Sequence, residues 1–216
     1  MLFKDRQEAG QKLSVALSKF KGQKDTIILA LPRGGVVTAY EIAKELNLPL
    51  DLVVPRKIGA PYNEEYAIGA ITESGKGIFN SQAIAELHIT KEYLDKTVTQ
   101  GKKEAQRRLK AYRQNRASLN LKNKTIIVID DGIATGLTMR AAIESIKAKN
   151  PAKIIIVVPV SAKDSLEIIK KEVDDIICLD TPEYFGAVGA FYRDFGQTTD
   201  EEVIELMEKS KNFGSS

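Results

Sequence analysis

The chain has 216 residues, 43% hydrophobic and 28% charged, a length and balance that fit one folded domain and exclude wholesale disorder or a fibrous repeat. A single cysteine, Cys178, and a single histidine, His88, exclude an internal disulfide and leave almost no room for a zinc site of the usual ligand types. The net charge of +3 is uneven: Lys102 to Lys124 holds nine basic residues against the one acid Glu104, while the rest of the chain is net acidic.

No run approaches the roughly 18 apolar residues that span a membrane, and the longest, Ile154 to Val160, is strand-sized. The opening Met1-Leu2-Phe3-Lys4-Asp5-Arg6 lacks the apolar stretch of a secretory leader. A cytoplasmic protein without a membrane partner is the expectation. Its chemistry then rests on carboxylates, hydroxyls, cations and the backbone.

In chain order, the spacing of Leu13, Ala16, Leu17 and Phe20 predicts a helix from about Asp5 to Phe20. The apolar run Thr26 to Leu31 predicts a buried strand ending in Pro32-Arg33-Gly34-Gly35. A second helix follows, with Val36, Ala39, Tyr40, Ala43 and Leu46 inward. Asp51 to Val54 is a short strand, after which a polar loop leads to the apolar stretch Ile68 to Thr72. Lys91 to Arg116 reads as one long helix with the stripe Leu94, Val98, Ala105, Leu109 and Tyr112.

The alternation then repeats. Thr125–Ile129, Ile154–Val158 and Ile176–Leu179 are strands, and Leu137–Lys149 and Lys163–Lys171 are helices. A final helix starts near Thr199, where Thr199-x-x-Glu202 fits a capping box. Near-continuous apolar strands alternating with helices mean a parallel sheet covered on both faces. Such sheets bind ligands beyond the carboxyl ends of their strands.

The informative string lies at one such end: Val128-Ile129-Asp130-Asp131-Gly132-Ile133-Ala134-Thr135-Gly136-Leu137-Thr138. A Gly/Thr-rich turn entering a helix offers N–H and hydroxyl donors to a phosphate dianion. The two acids would repel that phosphate, so ribose hydroxyls and a hydrated magnesium ion suit them better. No Gly-Lys-Ser/Thr occurs in this loop, so it is not a P-loop, and no Gly-x-Gly-x-x-Gly follows any strand.

This string resembles the phosphoribosyl-pyrophosphate (PRPP) loop of the type I phosphoribosyltransferases, hydrophobic-Asp-Asp-x-x-x-Thr-Gly-x-Thr. The resemblance implies that Ile133, Ala134, Thr135, Gly136, Leu137 and Thr138 grip the ribose 5′-phosphate, that Asp130 and Asp131 hold the ribose 2′- and 3′-hydroxyls, and that Gly132 belongs to the same PRPP site. It places Arg33, Gly34 and Gly35 at the family's pyrophosphate loop and Arg56-Lys57 at a basic pair reaching pyrophosphate. Tyr62-Asn63-Glu64-Glu65-Tyr66 resembles the mobile catalytic loop of adenine phosphoribosyltransferases, which puts Glu65 near the base or leaving group. Ala134 stands where the 6-oxopurine enzymes generally carry an aspartate base, so that mechanism is disfavoured. The basic helix is unlike the short adenine enzymes, and the pattern is closer to a group of bacterial phosphoribosyltransferase-like proteins.

The expectation is an α/β fold: a parallel twisted sheet flanked by helices on both faces, in a single domain over 1–216. Its core would span about 25–180, with a long helical insertion at about 81–118 and a C-terminal hood and tail at about 181–216. The function implied is magnesium-dependent transfer of phosphoribose from PRPP to a nitrogenous base, in nucleotide salvage, with Glu65, Asp130, Asp131 and Lys57 as catalytic groups. Direct metal ligation is not assigned: magnesium would be held through PRPP and water, with Asp130 and Asp131 the candidates. The competing reading is a PRPP-sensing regulator that meets nucleic acid through the basic 102–124 stretch, which is otherwise a solvated helix face. A homodimer is expected from the long helix. Cys178 reads as a core residue and His88 as having no catalytic neighbours. Tyr184, Phe185, Phe191, Tyr192 and Phe195 read either as a secondary hydrophobic cluster or as a hood stacking on the acceptor.

Overall fold

The computed structural model describes residues 1–114 and 116–214, with every side chain among them except that of Glu65. In chain order the elements are α1 Arg6–Ala16, β1 Thr26–Ala30, α2 Gly34–Leu46, β2 Leu50–Leu52, β3 Arg56–Ala60, β4 Asn63–Ile71, β5 Gly77–Phe79, α3 Ser81–Glu86 and α4 Lys91–Arg113. Then follow β6 Thr125–Ile129, α5 Leu137–Lys147, β7 Lys153–Val160, α6 Lys163–Lys170, β8 Asp175–Asp180 and α7 Asp200–Lys209.

Five strands form a wholly parallel sheet in the order β2-β1-β6-β7-β8. The apolar runs are unbroken because each strand serves two cores. Ile28, Ala30, Ile127, Ile129, Ile155 and Val157 face one side, where α1, α2, α4 and α7 cover them with Leu13, Ile42, Tyr112 and Met207. Ile27, Leu29, Ile126, Val128, Ile154 and Ile156 face the other, under Met139, Ala142, Ile143 and Ile146 of α5 and Ile169 of α6. At roughly 1.5–3 kcal/mol for each large aliphatic side chain removed from water, these two layers drive the fold.

A second sheet, β3-β4-β5, is antiparallel. The segment expected to be a polar loop before Ile68 is therefore a correction: residues 57–66 belong to a hairpin. Ile58 and Ala60 are buried while Lys57 is exposed, the period of a half-buried strand. Opposite Gly59 the pairing shifts register, with the extra residues on β4. This sheet lies against α5 and α4, and Ile58 and Ile71 cluster with Tyr93, Leu94 and Val98 of the latter. The stripe of α4 is thus consumed by packing within the chain, so a dimer contact by the long helix would draw on its other face.

Three helix ends differ from expectation by more than one residue. α1 stops at Ala16, which is exposed, and Leu17 and Phe20 enter the core through a 3-10 turn at Ser18–Phe20. α4 stops at Arg113, with Gln114 in the left-handed region, rather than running to Arg116. α5 ends at Lys147, two residues early.

The C-terminal segment splits. Residues 191–194 pair with the first residues of the chain: Phe3 donates its N–H to Phe191 O at 2.8 Å, and Arg193 donates to Phe3 O at 2.9 Å. Beyond them, Thr199 caps α7 by accepting from the Glu202 N–H at 3.1 Å, and Val203 and Met207 return to the main core.

Candidate active site

The sheet order reverses direction at β1, whose connection runs outward to β2 while β6 leads on to β7 on the other side. The crevice outside the carboxyl ends of β1 and β6 is the position where open parallel sheets admit a ligand. The two loops singled out by motif, 32–35 and 130–138, leave those two strand ends.

Helix capping marks the same edge. α1, α3, α4 and α7 each carry a side-chain cap, from Asp5, Asn80, Thr90 and Thr199. α2, α5 and α6, which follow β1, β6 and β7, have none. Among the described residues, the N–H groups of Arg33, Gly34 and Gly35 and those of Ala134 through Thr138 donate to no protein acceptor. Uncapped helix starts also carry about half a positive charge from the aligned peptide dipoles. Gly136 sits at φ +74°, a left-handed conformation that glycine adopts without strain, and this turns the chain into α5. Thr135 is exposed at the lip, and Thr138 is half-buried in the first turn of the helix.

Not every residue of the loop faces the crevice. Ile133 buries its side chain under the sheet and donates its N–H to Val160 O at 3.0 Å, so it offers a phosphate nothing. Gly132 is buried beside Val188. Ala134 is exposed, its carbonyl held by the Ser165 hydroxyl at 2.5 Å. The donor set is therefore 134–138, with Leu137 contributing its backbone only.

The acid pair is built to high density. A Cβ on Gly34 would lie 1.9 Å from Asp131 Oδ2, and one on Gly35 would lie 2.9 Å from the Cα of Asp130. The glycines thus let loop 32–35 lie directly against the two aspartates; the Pro32–Arg33 peptide that precedes them is cis. Asp131 donates its N–H to Asp130 Oδ1 at 2.9 Å. Burial holds the Asp130 carboxyl well above the usual carboxylate range, and the neighbouring Asp131 charge adds to that. Asp131 is instead paired with Arg6, Nε to Oδ2 at 2.6 Å.

Of the other basic residues, Arg33 is engaged by an acid, and Arg56 and Lys57 line a cleft whose lining includes no residue of loops 32–35 or 130–138. Arg33 reaches Asp200 at the start of α7, 3.5 Å away, and that carboxylate also accepts from the Tyr112 hydroxyl at 2.7 Å. Burial, then the Asp200 bond, pushes the Tyr112 hydroxyl up to about 12. Arg56 and Lys57 open β3 and line a cleft of about 560 Å³ between that strand and α4, shared with Glu64, Tyr93, Glu104 and Arg108. Burial, followed by the Arg108 charge, lowers the pKa of Arg56. Glu104 is held down to about 2, first by Arg107 and then by Arg108. Glu65 lies in β4, and its side chain is outside the described residues; Tyr62 and Tyr66 beside it are exposed.

Sequence reading missed Arg6 and Asp200, and placed Tyr192 among the aromatics without its hydrogen bond to Asp131. Tyr192 donates its hydroxyl to Asp131 O at 2.6 Å and packs between Phe3 and Phe195. Of the five aromatics, Phe191, Tyr192 and Phe195 therefore form a hydrophobic cluster with Phe3, while Tyr184 is 86% exposed. One weak signal existed for Arg6: a cation in the first turn of a helix opposes the dipole and calls for a partner elsewhere. His88 is exposed and Cys178 is half-buried, its thiol pushed up to about 11 by burial.

The phosphoribosyl transferase domain model matches residues 5–195. The chain belongs to this family. A Mycobacterium tuberculosis protein, given under strains CDC 1551 and H37Rv and named provisionally as a phosphoribosyl transferase, is 38% identical over 209 residues. The match covers 97% of this chain and 47% of that protein, so the chain spans about half the length of the curated relatives it matches. The crystal structure of TT1426 from Thermus thermophilus is similar at a TM-score of 0.80 and 36% identity, covering 97% of this chain and 99% of that one. The family's fold, a parallel sheet with helices on both faces, is the fold described above. No helix among the described residues is long and apolar enough to cross a membrane.

Proposed function

We propose that this protein transfers phosphoribose from PRPP to a nitrogenous base, releasing pyrophosphate. The observation that carries the proposal is the pairing of two uncapped helix starts with an acid pair in one crevice. Among the described residues, eight N–H groups of these two starts donate to no protein acceptor and offer sites for anions, and the two carboxylates suit a sugar diol.

In this reading the 5′-phosphate lies on residues 134–138 and the sugar hydroxyls on Asp130 and Asp131. The pyrophosphate lies against Arg33, Gly34 and Gly35, with Arg56 and Lys57 at its outer end. As pyrophosphate leaves, positive charge develops on the sugar ring and negative charge on the leaving oxygens. Fixed N–H dipoles and the arginines stabilise the latter without reorganising. Arg33 must exchange Asp200 for the incoming phosphate to do so. The β3–β4 hairpin, with Glu65 and two exposed tyrosines near its tip, would cover the crevice and limit loss to water.

Magnesium fits this donor set in one form only. No group of three or more acidic, histidine or cysteine side chains among the described residues could enclose a metal, whereas the Asp130–Asp131 pair suits an ion that keeps most of its waters. Such an ion would neutralise phosphate charge when bound. Ala134 cannot accept a proton, so the acceptor base is one that needs no carboxylate at that point of the loop.

Turnover of Asp131→Asn compared with Ser81→Ala tests the site: the first falls by orders of magnitude and the second, exposed on α3, does not. Equal activity would remove the assignment. A regulator would instead retard nucleic acid at physiological salt in a PRPP-dependent way; the enzyme reading expects binding that is weak and indifferent to PRPP. Cytoplasmic nucleotide salvage is the setting proposed for the reaction.

A further inference from the structure

We infer that Arg6 is a positioning residue of the sugar site, acting through Asp131 to select which carboxylate oxygens face the ligand. The inference rests on the reading of the crevice as a phosphoribose site. Arg6 lies in the first turn of α1, outside both ligand loops and 125 positions from its partner. Its Nε donates to Asp131 Oδ2 at 2.6 Å, its Nη1 donates to Gly196 O at 2.8 Å, and its guanidinium lies 3.8 Å from the centre of the Phe195 ring. Three sides of the guanidinium are thus committed, and both side chains of the pair are mostly covered, 12% and 15% exposed.

The consequence falls on the oxygens. Asp131 Oδ2 is enclosed by Arg6 and by the Cα of Gly34, where even a methyl group would collide. Asp130 Oδ1 is taken by the Asp131 N–H. Among the described residues, no N–H or hydroxyl group is bonded to Asp131 Oδ1 or Asp130 Oδ2, although the two carboxyl groups lie against each other, and these are the oxygens assigned to a vicinal diol. Without the Arg6 charge, two adjacent acids repel each other and the Asp131 carboxylate is free to rotate. A second anchor, the Tyr192 hydroxyl on Asp131 O at 2.6 Å, fixes the backbone but not the carboxylate torsion. That torsion is therefore held by Arg6, with Gly34 packed against Oδ2.

A structural ion pair and a positioning one differ in what they do to sugar discrimination. The test is calorimetric titration of the full chain with ribose 5-phosphate and with its 2-deoxy and 3-deoxy analogues. Hydrogen bonds to charged groups give wild type a preference of roughly tenfold or more for ribose over at least one analogue. Asp131→Asn, the control, lowers that ratio. Arg6→Met, nearly isosteric and uncharged, is expected to bring it to within about twofold of unity, and Arg6→Lys to an intermediate value, because one ammonium cannot make all three contacts.

Equal weakening of all three ligands by Arg6→Met, with the wild-type ratio kept, overturns the inference and leaves Arg6 a stabilising contact. If Arg6→Met does not fold, Arg6→Lys decides: a ratio reduced about threefold in a folded protein supports the inference, and an unchanged ratio overturns it. A wild-type protein that binds none of the three sugars refutes the phosphoribose reading itself, and the role of Arg6 with it.

Discussion

Replacing Gly34 by alanine puts a methyl group where the structure has a carboxylate. The new Cβ would meet Asp131 Oδ2 at 1.9 Å, Arg6 Nε at 2.6 Å and Asp131 Cγ at 2.8 Å. Ordinary contact needs about 3.4 Å, so the Asp131 carboxylate must retreat by roughly 1.5 Å, which is incompatible with its present bond to Arg6. Disrupting a mostly buried charge-assisted bond costs about 2–4 kcal/mol when the guanidinium follows part of the way. The better helix propensity of alanine returns up to about 1 kcal/mol at this first helical position. The net loss of about 1–3 kcal/mol corresponds to a fall in Tm of about 3–10 °C for a chain of this size. Displacing a sugar-binding carboxylate by more than about 1 Å should also weaken ribose 5-phosphate by roughly tenfold or more. Thermal denaturation and calorimetric titration of Gly34→Ala beside Gly186→Ala measure both effects. Gly186 has nothing within 4 Å of its would-be Cβ and no left-handed backbone. Indistinguishable variants would refute the close approach of loop 32–35 to the acid pair.

Asp130→Asn is expected to stabilise the protein at neutral pH while weakening sugar binding. An acid whose folded pKa is raised favours the fold when protonated, so its contribution declines as pH rises above the ordinary carboxylate range toward the folded value. The variant should be more stable than wild type at pH 7 and no more stable near pH 3, read from denaturation at the two pH values; a gain that does not change with pH contradicts the sign. Asp51 accepts from Arg113 at 2.7 and 3.0 Å and from the Leu119 N–H at 3.0 Å while buried at the edge strand β2. Asp51→Asn should cost about 3–5 kcal/mol in urea unfolding, by stranding the guanidinium. A loss below about 1 kcal/mol would mean that water replaces the pair. Thr199→Ala should cost about 1 kcal/mol through the lost α7 cap, with PRPP affinity changed less than about twofold.

The sheet was legible because its two-sided burial writes itself as five-residue runs such as Thr125–Ile129, and the last helix was marked by its Thr199 cap. The ribose loop was legible because a strand, two acids and a Gly/Thr turn are contiguous. What escaped is non-local. Arg6 and Asp131 meet only after α1 docks, and no spacing in the chain links them. Tyr192 and Phe3 come together through an isolated parallel bridge between segments far apart in the chain. The β3–β4 hairpin was hidden by its own irregularity: β4 opens on the polar run Asn63-Glu64-Glu65-Tyr66, and its pairing shifts register opposite Gly59, which lies against the Glu64 backbone. The extent of the loop also needed the structure, since only the bond from Ile133 to Val160 separates the phosphate donors from the residue that anchors them.

The most direct measurement is mass spectrometry of the small molecules after the protein is incubated with magnesium, PRPP and a mixture of purine and pyrimidine bases. A crevice that binds phosphoribose for transfer predicts a new nucleoside monophosphate together with pyrophosphate, both lost in Asp131→Asn. PRPP that remains intact, under conditions where it is bound, would contradict transfer and leave the crevice as a receptor.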